Sequence, residues 1–283
     1  MSKTWLITGS SRGLGRALAE AVLAAGHQLV ATARRPEQLD DLVRRFGDQV
    51  RAVALDVTDP AAARAAIQHA VDSFGRLDVL VNNAGYADVA SIEDVTEDAF
   101  RAQIDTNLYG VVNVTKAALP VLREQGSGHI VQISSVGGRV GTPGLSAYQA
   151  AKWAVGGFSE VLAQEVAPFG IKVTVIEPGG LRTDWAGSSM STPPVSDPYK
   201  PVIEPVVGFL GQADGTQPGD PALAAQAILH ITEAADPPVR LLLGSDAVAV
   251  AGAMAQNLAA SDAKWRKVSE SIDFDAPRQE ACR

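Results

Sequence analysis

Thr8-Gly9-Ser10-Ser11-Arg12-Gly13-Leu14-Gly15 stands between an apolar run, Trp5-Leu6-Ile7, and an alanine-rich stretch, Leu14 to Ala25, that stops at Gly26. Glycine lets a backbone turn tightly and approach a ligand closely, and the first amides of a helix carry a partial positive charge. A strand before such a loop and a helix after it predict a cradle for a phosphate-bearing ligand. The alternation continues downstream. Gln28 to Thr32, Val53-Ala54-Leu55, Val79-Leu80-Val81, Ile130 to Ile133, Val173 to Ile176 and Leu241-Leu242-Leu243 read as short strands. Helical stretches lie between them: Pro36 to Phe46, one opened by Asp59-Pro60, one from about Glu97 to Leu108 continuing in segments to Arg123, and a long one from Tyr148 to Val166. Asp59 suits an N-cap and Pro60 the first helical position. Strands apolar on both faces and alternating with helices predict an α/β architecture, a doubly wound parallel sheet of about seven strands with helices on both faces. In such sheets ligands bind at the carboxyl ends of the strands, where the strand order reverses.

The chain has 283 residues, 46% of them hydrophobic and 20% charged, which suits a soluble globular protein read as one domain over residues 1–283. A net charge of -8 argues against nucleic acid as a partner. No apolar run reaches the length of a membrane span, and Met1-Ser2-Lys3-Thr4 lacks the layout of a signal peptide. The lone Cys282 forms no intrachain disulfide and fits a reducing compartment, so a cytoplasmic location is expected. The four histidines are scattered without metal-ligand spacing, so no metal is expected. Ser188 to Pro221 is rich in Gly, Pro, Ser, Thr and Asp and reads as irregular. A long irregular insertion, here about 184–221, suggests a lid over a site. The tail, from about 245, begins helical and ends polar.

The second strand ends Ala31-Thr32-Ala33-Arg34-Arg35. Sites that prefer NAD often carry an acid there for the ribose hydroxyls. Two guanidinium groups stand there instead, and a third, Arg12, lies in the glycine loop, which favours the 2′-phosphate of NADP(H). Further along, Tyr148 and Lys152 lie four residues apart in Ser146-Ala147-Tyr148-Gln149-Ala150-Ala151-Lys152. On a helix they share a face, and a nearby ammonium favours phenolate, lowering the tyrosine pKa. Ser134 and Ser135 follow the fifth strand, Asn107 lies mid-helix although asparagine is a poor helix former, and Pro178-Gly179 ends the sixth strand.

Taken together, Thr8-Gly9 with Gly13 and Gly15, Asn82-Asn83-Ala84-Gly85, Asn107, Ser135, Tyr148, Lys152 and Pro178-Gly179 stand in the order and spacing of one family. The chain resembles the short-chain dehydrogenase/reductase family, in its compact single-domain branch, from about Lys3 to Thr183 and more loosely to Gly244. The resemblance implies a Rossmann-type fold and an NADP(H)-dependent oxidoreductase moving a hydride to or from a ketone or secondary alcohol. It implies Tyr148 as general acid and base, Lys152 on the nicotinamide ribose, and Ser135 on the substrate oxygen. Ser135 rather than Ser134 lies thirteen residues before the tyrosine. Asn107 is implied to position a water near Lys152. The cofactor set implied comprises Gly9, Ser11, Arg12, Gly13, Leu14, Gly15 and Arg34; Asp56 and Val57 at the adenine; Asn83, Ala84 and Gly85; and Pro178, Gly179 and Thr183 toward the nicotinamide, with Tyr148 and Lys152. Trp153 and Gln149-Ala150-Ala151 depart from the common pattern without removing a reacting group. Tyr86, Val136, Leu145 and Trp185 are expected to line an apolar substrate pocket. A homodimer or homotetramer is the family's usual assembly. The rival reading is a catalytically silent NADP(H)-sensing regulatory protein; the presence of both Tyr148 and Lys152 counts against it.

Overall fold

The computed structural model describes residues 2–185 and 190–274. Seven strands form one sheet: β1 Thr4–Ile7, β2 Gln28–Ala33, β3 Val50–Ala54, β4 Val79–Asn82, β5 Gly128–Ile133, β6 Ile171–Pro178 and β7 Arg240–Leu243. Their order is β3-β2-β1-β4-β5-β6-β7, and every pairing is parallel. The strand order reverses between β1 and β4, which fixes where the loops after these strands open a crevice. This is the doubly wound α/β sheet expected from the alternation of apolar runs and helices.

The helices are α1 Gly13–Ala24, α2 Asp40–Phe46, α3 Pro60–Phe74, α4 Glu97–Ile104, α5 Gly110–Gln125, α6 Ser146–Val166, α7 Lys200–Ala213, α8 Pro221–Ile231 and α9 Ser245–Glu270. Successive strand residues point to opposite faces. Trp5 and Ile7 of β1 therefore join a core with Leu18 and Val22 of α1, Leu42 of α2 and Ile228 of α8. Leu6 faces the other way, into a core with Ile67 of α3, Val114 of α5 and Leu162 of α6. Each large aliphatic side chain so buried contributes about 1.5–3 kcal/mol relative to exposure. Asp59 caps α3 by accepting from Ala61 N at 2.7 Å, with Pro60 next to it. Asp220-Pro221 repeats this device at α8, where Asp220 accepts from Ala222 N at 2.7 Å.

Several elements differ from the sequence expectation, among them α8, where no helix was expected. β3 begins at Val50 rather than Val53, because Leu29 to Ala33 of β2 offer it a full parallel register. The helical stretch from Glu97 is broken between α4 and α5 by a π-helical turn, Asp105–Tyr109. The proline-rich stretch expected to be irregular contains α7. Pro201 lies in the first turn, where its missing N–H has no helical partner to lose. Pro205 removes a bond further in, and buried Ile203 holds that turn against the body. Among the described residues no helix is long and apolar enough to cross a membrane. Ser188, the polar end of the tail and Cys282 lie outside the described residues.

Candidate active site

The loop after β1 is stapled to the loop after β4. Thr8 Oγ1 accepts from Asn83 N at 2.9 Å and Ala84 N at 3.0 Å. Asn83 Nδ2 donates back to the carbonyls of Thr8 at 2.9 Å and Gly9 at 3.1 Å. The chain then folds tightly onto the start of α1. A Cβ on Gly15 would lie 2.2 Å from the Gly9 carbonyl oxygen and 2.4 Å from Asn83 Nδ2, so only glycine fits. Arg12 takes the N-cap position of α1 without a side-chain cap bond, which leaves the first amides of the helix to the loop side. Leu14 turns away from this cradle into the core. Ser11 is half-buried within the loop.

On the far side, Thr183 packs beside Gly13, and Asp184 forms an ion pair with Arg12 at 3.5 Å. The cradle and the chain after β6 are thus joined. Asp184 has no sequence signal of its own, because its partner lies in a distant loop. Arg34 is exposed just past β2. Hydrogen bonds from the Thr58 backbone and hydroxyl hold the Asp56 carboxyl below its ordinary range, and the Arg34 charge adds to this. Val57 is buried and its carbonyl accepts from Asn113 Nδ2 at 3.0 Å.

Tyr148 and Lys152 lie on one face of α6, 7% and 4% exposed. Lys152 Nζ donates to the Ile133 carbonyl at the end of β5, at 2.8 Å, and stands 5.6 Å from the centre of the Tyr148 ring. Ser135 caps a 3₁₀ turn, Val136–Gly138, its Oγ accepting from Gly137 N at 3.0 Å, and it hydrogen-bonds the phenol of Tyr148. Ser134 points elsewhere, donating to the Lys152 carbonyl at 3.2 Å. The π turn aims Asn107 inward: its Nδ2 donates to the carbonyls of Tyr86 and Gln103, both at 2.9 Å, and its Oδ1 accepts from Tyr86 N at 3.2 Å. The backbone at Gly85 runs between these groups. A Cβ there would lie 2.5 Å from Asn107 Oδ1 and 3.6 Å from Lys152 Nζ.

The electrostatics run opposite to the expectation for the phenol. Burial pushes Tyr148 up to about 12, with the Ser135 hydrogen bond pulling the other way. Burial also brings Lys152 down to about 8. The ammonium faces the ring and the Ile133 carbonyl, so it does not offset what desolvation does to the phenol. Between about pH 8 and 10.5 the unfolded chain holds the Lys152 proton that the folded chain releases, so stability rises with pH across that window. Below it, both states are protonated and the buried charge costs up to about 3 kcal/mol. Lys152→Met is therefore expected to flatten this rise and to stabilise the fold at pH 7 by about 1–3 kcal/mol, less than the full figure because the bond to Ile133 is lost. Urea denaturation at pH 7 and pH 10 measures it.

Beyond the phenol lies a small apolar cluster of Ala87, Val89, Leu145, Tyr148 and Ile203, with Trp185, Val207 and Leu210 packed on it. The Trp185 and Tyr148 rings stand 5.4 Å apart at 54°. Leu145 and Trp185 thus meet the phenol, whereas Tyr86 and Val136 lie outside the cluster. Val136 opens the 3₁₀ turn, and the Tyr86 phenol, pushed up by burial and then by Asp88, belongs to a more polar neighbourhood. Ile203, Val207 and Leu210 escaped the sequence reading, although their spacing is that of one helical face. Gln149, noted in the sequence only as a departure from the common pattern, has a structural part as well. Its Oε1 accepts from Thr142 N at 2.6 Å, and its Nε2 donates to Thr142 Oγ1 at 3.1 Å, fixing the loop that carries Leu145. Pro178 and Gly179 leave β6 in a turn held by Asp246, which accepts from Gly180 N at 2.8 Å.

Known proteins resemble this chain over most of its length. A model of the short chain dehydrogenase family matches residues 3–193. Oxidoreductase BOA17 of Botryotinia fuckeliana (strain B05.10) is 57% identical over 270 residues, which cover 95% of this chain and 98% of the relative. The structure of a short-chain dehydrogenase from Streptomyces avermitilis matches with a TM-score of 0.91 at 42% identity, covering 96% of this chain and 98% of that one. A 3-ketoacyl-(acyl-carrier-protein) reductase from Brucella melitensis, complexed with NADH, matches at 0.72 and 26% identity, covering 85% of this chain and 96% of that one. With the family model spanning more than half of the sequence, and both a close relative and a solved structure agreeing over nearly its whole length, the chain belongs to the short-chain dehydrogenase family of oxidoreductases.

Proposed function

We propose that the chain interconverts a ketone and a secondary alcohol with an apolar body, using NADP(H), with Tyr148 as general acid and base. The observation that carries this is the meeting of Tyr148, Ser135 and Lys152 beneath an apolar cover, one backbone segment away from the glycine cradle. The cradle fits a dinucleotide: it has close-approach backbone at Gly15 and the start of a helix facing the loop. Gly9, Ser11, Gly13 and Gly15 would hold the pyrophosphate, Asp56 and Val57 the adenine, Asn83, Ala84 and Gly85 the middle, and Pro178, Gly179 and Thr183 the nicotinamide end. The dinucleotide, when bound, supplies or accepts the hydride.

The rest of the chemistry falls to the chain. Tyr148 keeps its proton at neutral pH, which suits it to donate to a carbonyl oxygen as negative charge develops there. Ser135 donates a second hydrogen bond to the same oxygen, where a dry surrounding makes it worth more than in water. Lys152 orients the ribose, and Asn107 beside Gly85 supports the path by which a proton returns to the phenol. Trp185 and α7 cover the substrate and exclude water. The apolar lining favours a hydrophobic substrate.

The test is a panel of ketones and secondary alcohols with NADPH, NADH and their oxidised forms, followed at the nicotinamide absorbance. Turnover of apolar ketones with NADPH supports the reading; none with any pair sinks it. Arg34 carries the cofactor preference. A charge-assisted hydrogen bond contributes about 1.5–3 kcal/mol. Arg34→Asp is therefore expected to weaken NADPH binding roughly ten- to a hundredfold more than NADH binding, as measured by titration. Equal losses for the two cofactors would count against a 2′-phosphate site.

A further inference from the structure

We propose that Glu177 is a positioning residue for the reacting groups, an inference that rests on the proposed hydride-transfer function. Glu177 directly precedes Pro178 in β6 and its side chain is fully buried. A buried carboxylate is costly unless it is paired. Arg139, the residue after the 3₁₀ turn capped by Ser135, donates its Nε to Oε2 at 2.8 Å, and its Nη2 contacts the same oxygen. Arg240, the first residue of β7, brings its Nε within 3.3 Å of Oε1 and its Nη1 within 3.3 Å of Glu160 on α6. To get there the guanidinium crosses α6 at Gly156, where a Cβ would lie 1.8 Å from Nη2.

Tyr148, Lys152, Gly156 and Glu160 follow one another at four-residue intervals, along a single ridge of α6. One carboxylate therefore ties together three segments: the turn holding Ser135, the strand end leading to Pro178-Gly179, and the helix carrying Tyr148 and Lys152. A buried ion pair adds little net stability over apolar packing of the same volume. What it adds here is fixed separation between segments that must present a hydroxyl, a phenol and a cofactor turn to one reacting carbon. Displacement of such groups by about 1 Å costs about a hundredfold in rate.

The test uses the full chain with Arg139→Met, Arg139→Lys, Glu177→Gln and Gly156→Ala, none of which removes a group placed on substrate or cofactor. Ketone turnover with NADPH, dinucleotide affinity and melting temperature are measured for each, and Arg139→Met is crystallised. Expected are kcat losses of about ten- to a hundredfold in Arg139→Met and Glu177→Gln, with dinucleotide affinity little changed and partial recovery in Arg139→Lys. Gly156→Ala pushes the Arg240 guanidinium aside but is a better helix former, so it should lower kcat with a smaller fall in melting temperature than Arg139→Met. The Ser135 turn should stand away from β6 in the Arg139→Met crystal, with the glycine loop in place. Full kcat in folded Arg139→Met, parallel loss of kcat and dinucleotide affinity, or an unmoved Ser135 turn overturns the proposal. A wild-type chain inert toward the whole panel sinks the hydride-transfer function instead, and the position of the Ser135 turn in the crystal still decides the placement by Glu177.

Discussion

Tyr148→Phe is expected to lower ketone turnover with NADPH by about a hundred- to ten-thousandfold while dinucleotide binding survives. The substitution deletes one oxygen and keeps the ring. Phenylalanine preserves the packing on Trp185 and the contact of Lys152 with the ring face, so the fold and the cradle stay as they are. What disappears is the proton proposed to pass to the developing alkoxide, and the hydrogen bond with Ser135. Because burial holds the phenol near 12, the wild-type chain should reduce ketones well at neutral pH and oxidise alcohols faster as the pH rises. Steady-state rates in both directions, with dinucleotide titration of both proteins, measure this. A Phe variant turning over at the wild-type rate would remove Tyr148 from the proton transfer.

Gly15→Ala carries the second large effect. Its Cβ would meet the Gly9 carbonyl at 2.2 Å and Asn83 Nδ2 at 2.4 Å, far inside van der Waals contact. The Gly9 carbonyl cannot yield without moving backbone, and Asn83 Nδ2 cannot turn aside without giving up its bonds to the Thr8 and Gly9 carbonyls. Overpacking of this kind costs about 1–3 kcal/mol. Alanine regains up to about 1 kcal/mol of helix propensity, so the net loss of stability is modest. The cradle, however, must open to admit the methyl group. Dinucleotide affinity is expected to fall at least about tenfold, the equivalent of 1.4 kcal/mol. Calorimetric titration and a melting curve separate the two consequences. Undiminished affinity would mean that phosphate does not sit against this loop.

Much of the sheet was legible because a parallel sheet covered on both faces needs short runs of apolar residues, and Trp5-Leu6-Ile7 or Val79-Leu80-Val81 have no other use. The Tyr148–Lys152 pair was legible for a similar reason: helical periodicity alone puts both on one face. α7 was not, because Pro201 and Pro205 signal a break unless the burial of Ile203 is known. The π turn at Asn107 hides in a stretch whose composition suits an ordinary helix. The pairings Arg12–Asp184, Arg139–Glu177 and Gly180–Asp246 escape a linear reading altogether. Each joins residues far apart in the chain, and a lone acid looks the same in sequence whether it faces water or a buried guanidinium. The direction in which the Tyr148 phenol shifts depends on its desolvation, which spacing cannot report.

The parallel sheet has a consequence for how the molecule is made. Trp5 pairs with Val79 and Val175 with Arg240, and neither contact can begin from a tight hairpin. Pairings so distant must first close long loops, which slows folding. A nascent chain released before residue 240 would already contain every group assigned to proton transfer, yet it would lack the outermost strand and leave Glu177 with a single guanidinium. On the proposed role of Glu177, the placement of the reaction centre is thereby tied to the synthesis of β7.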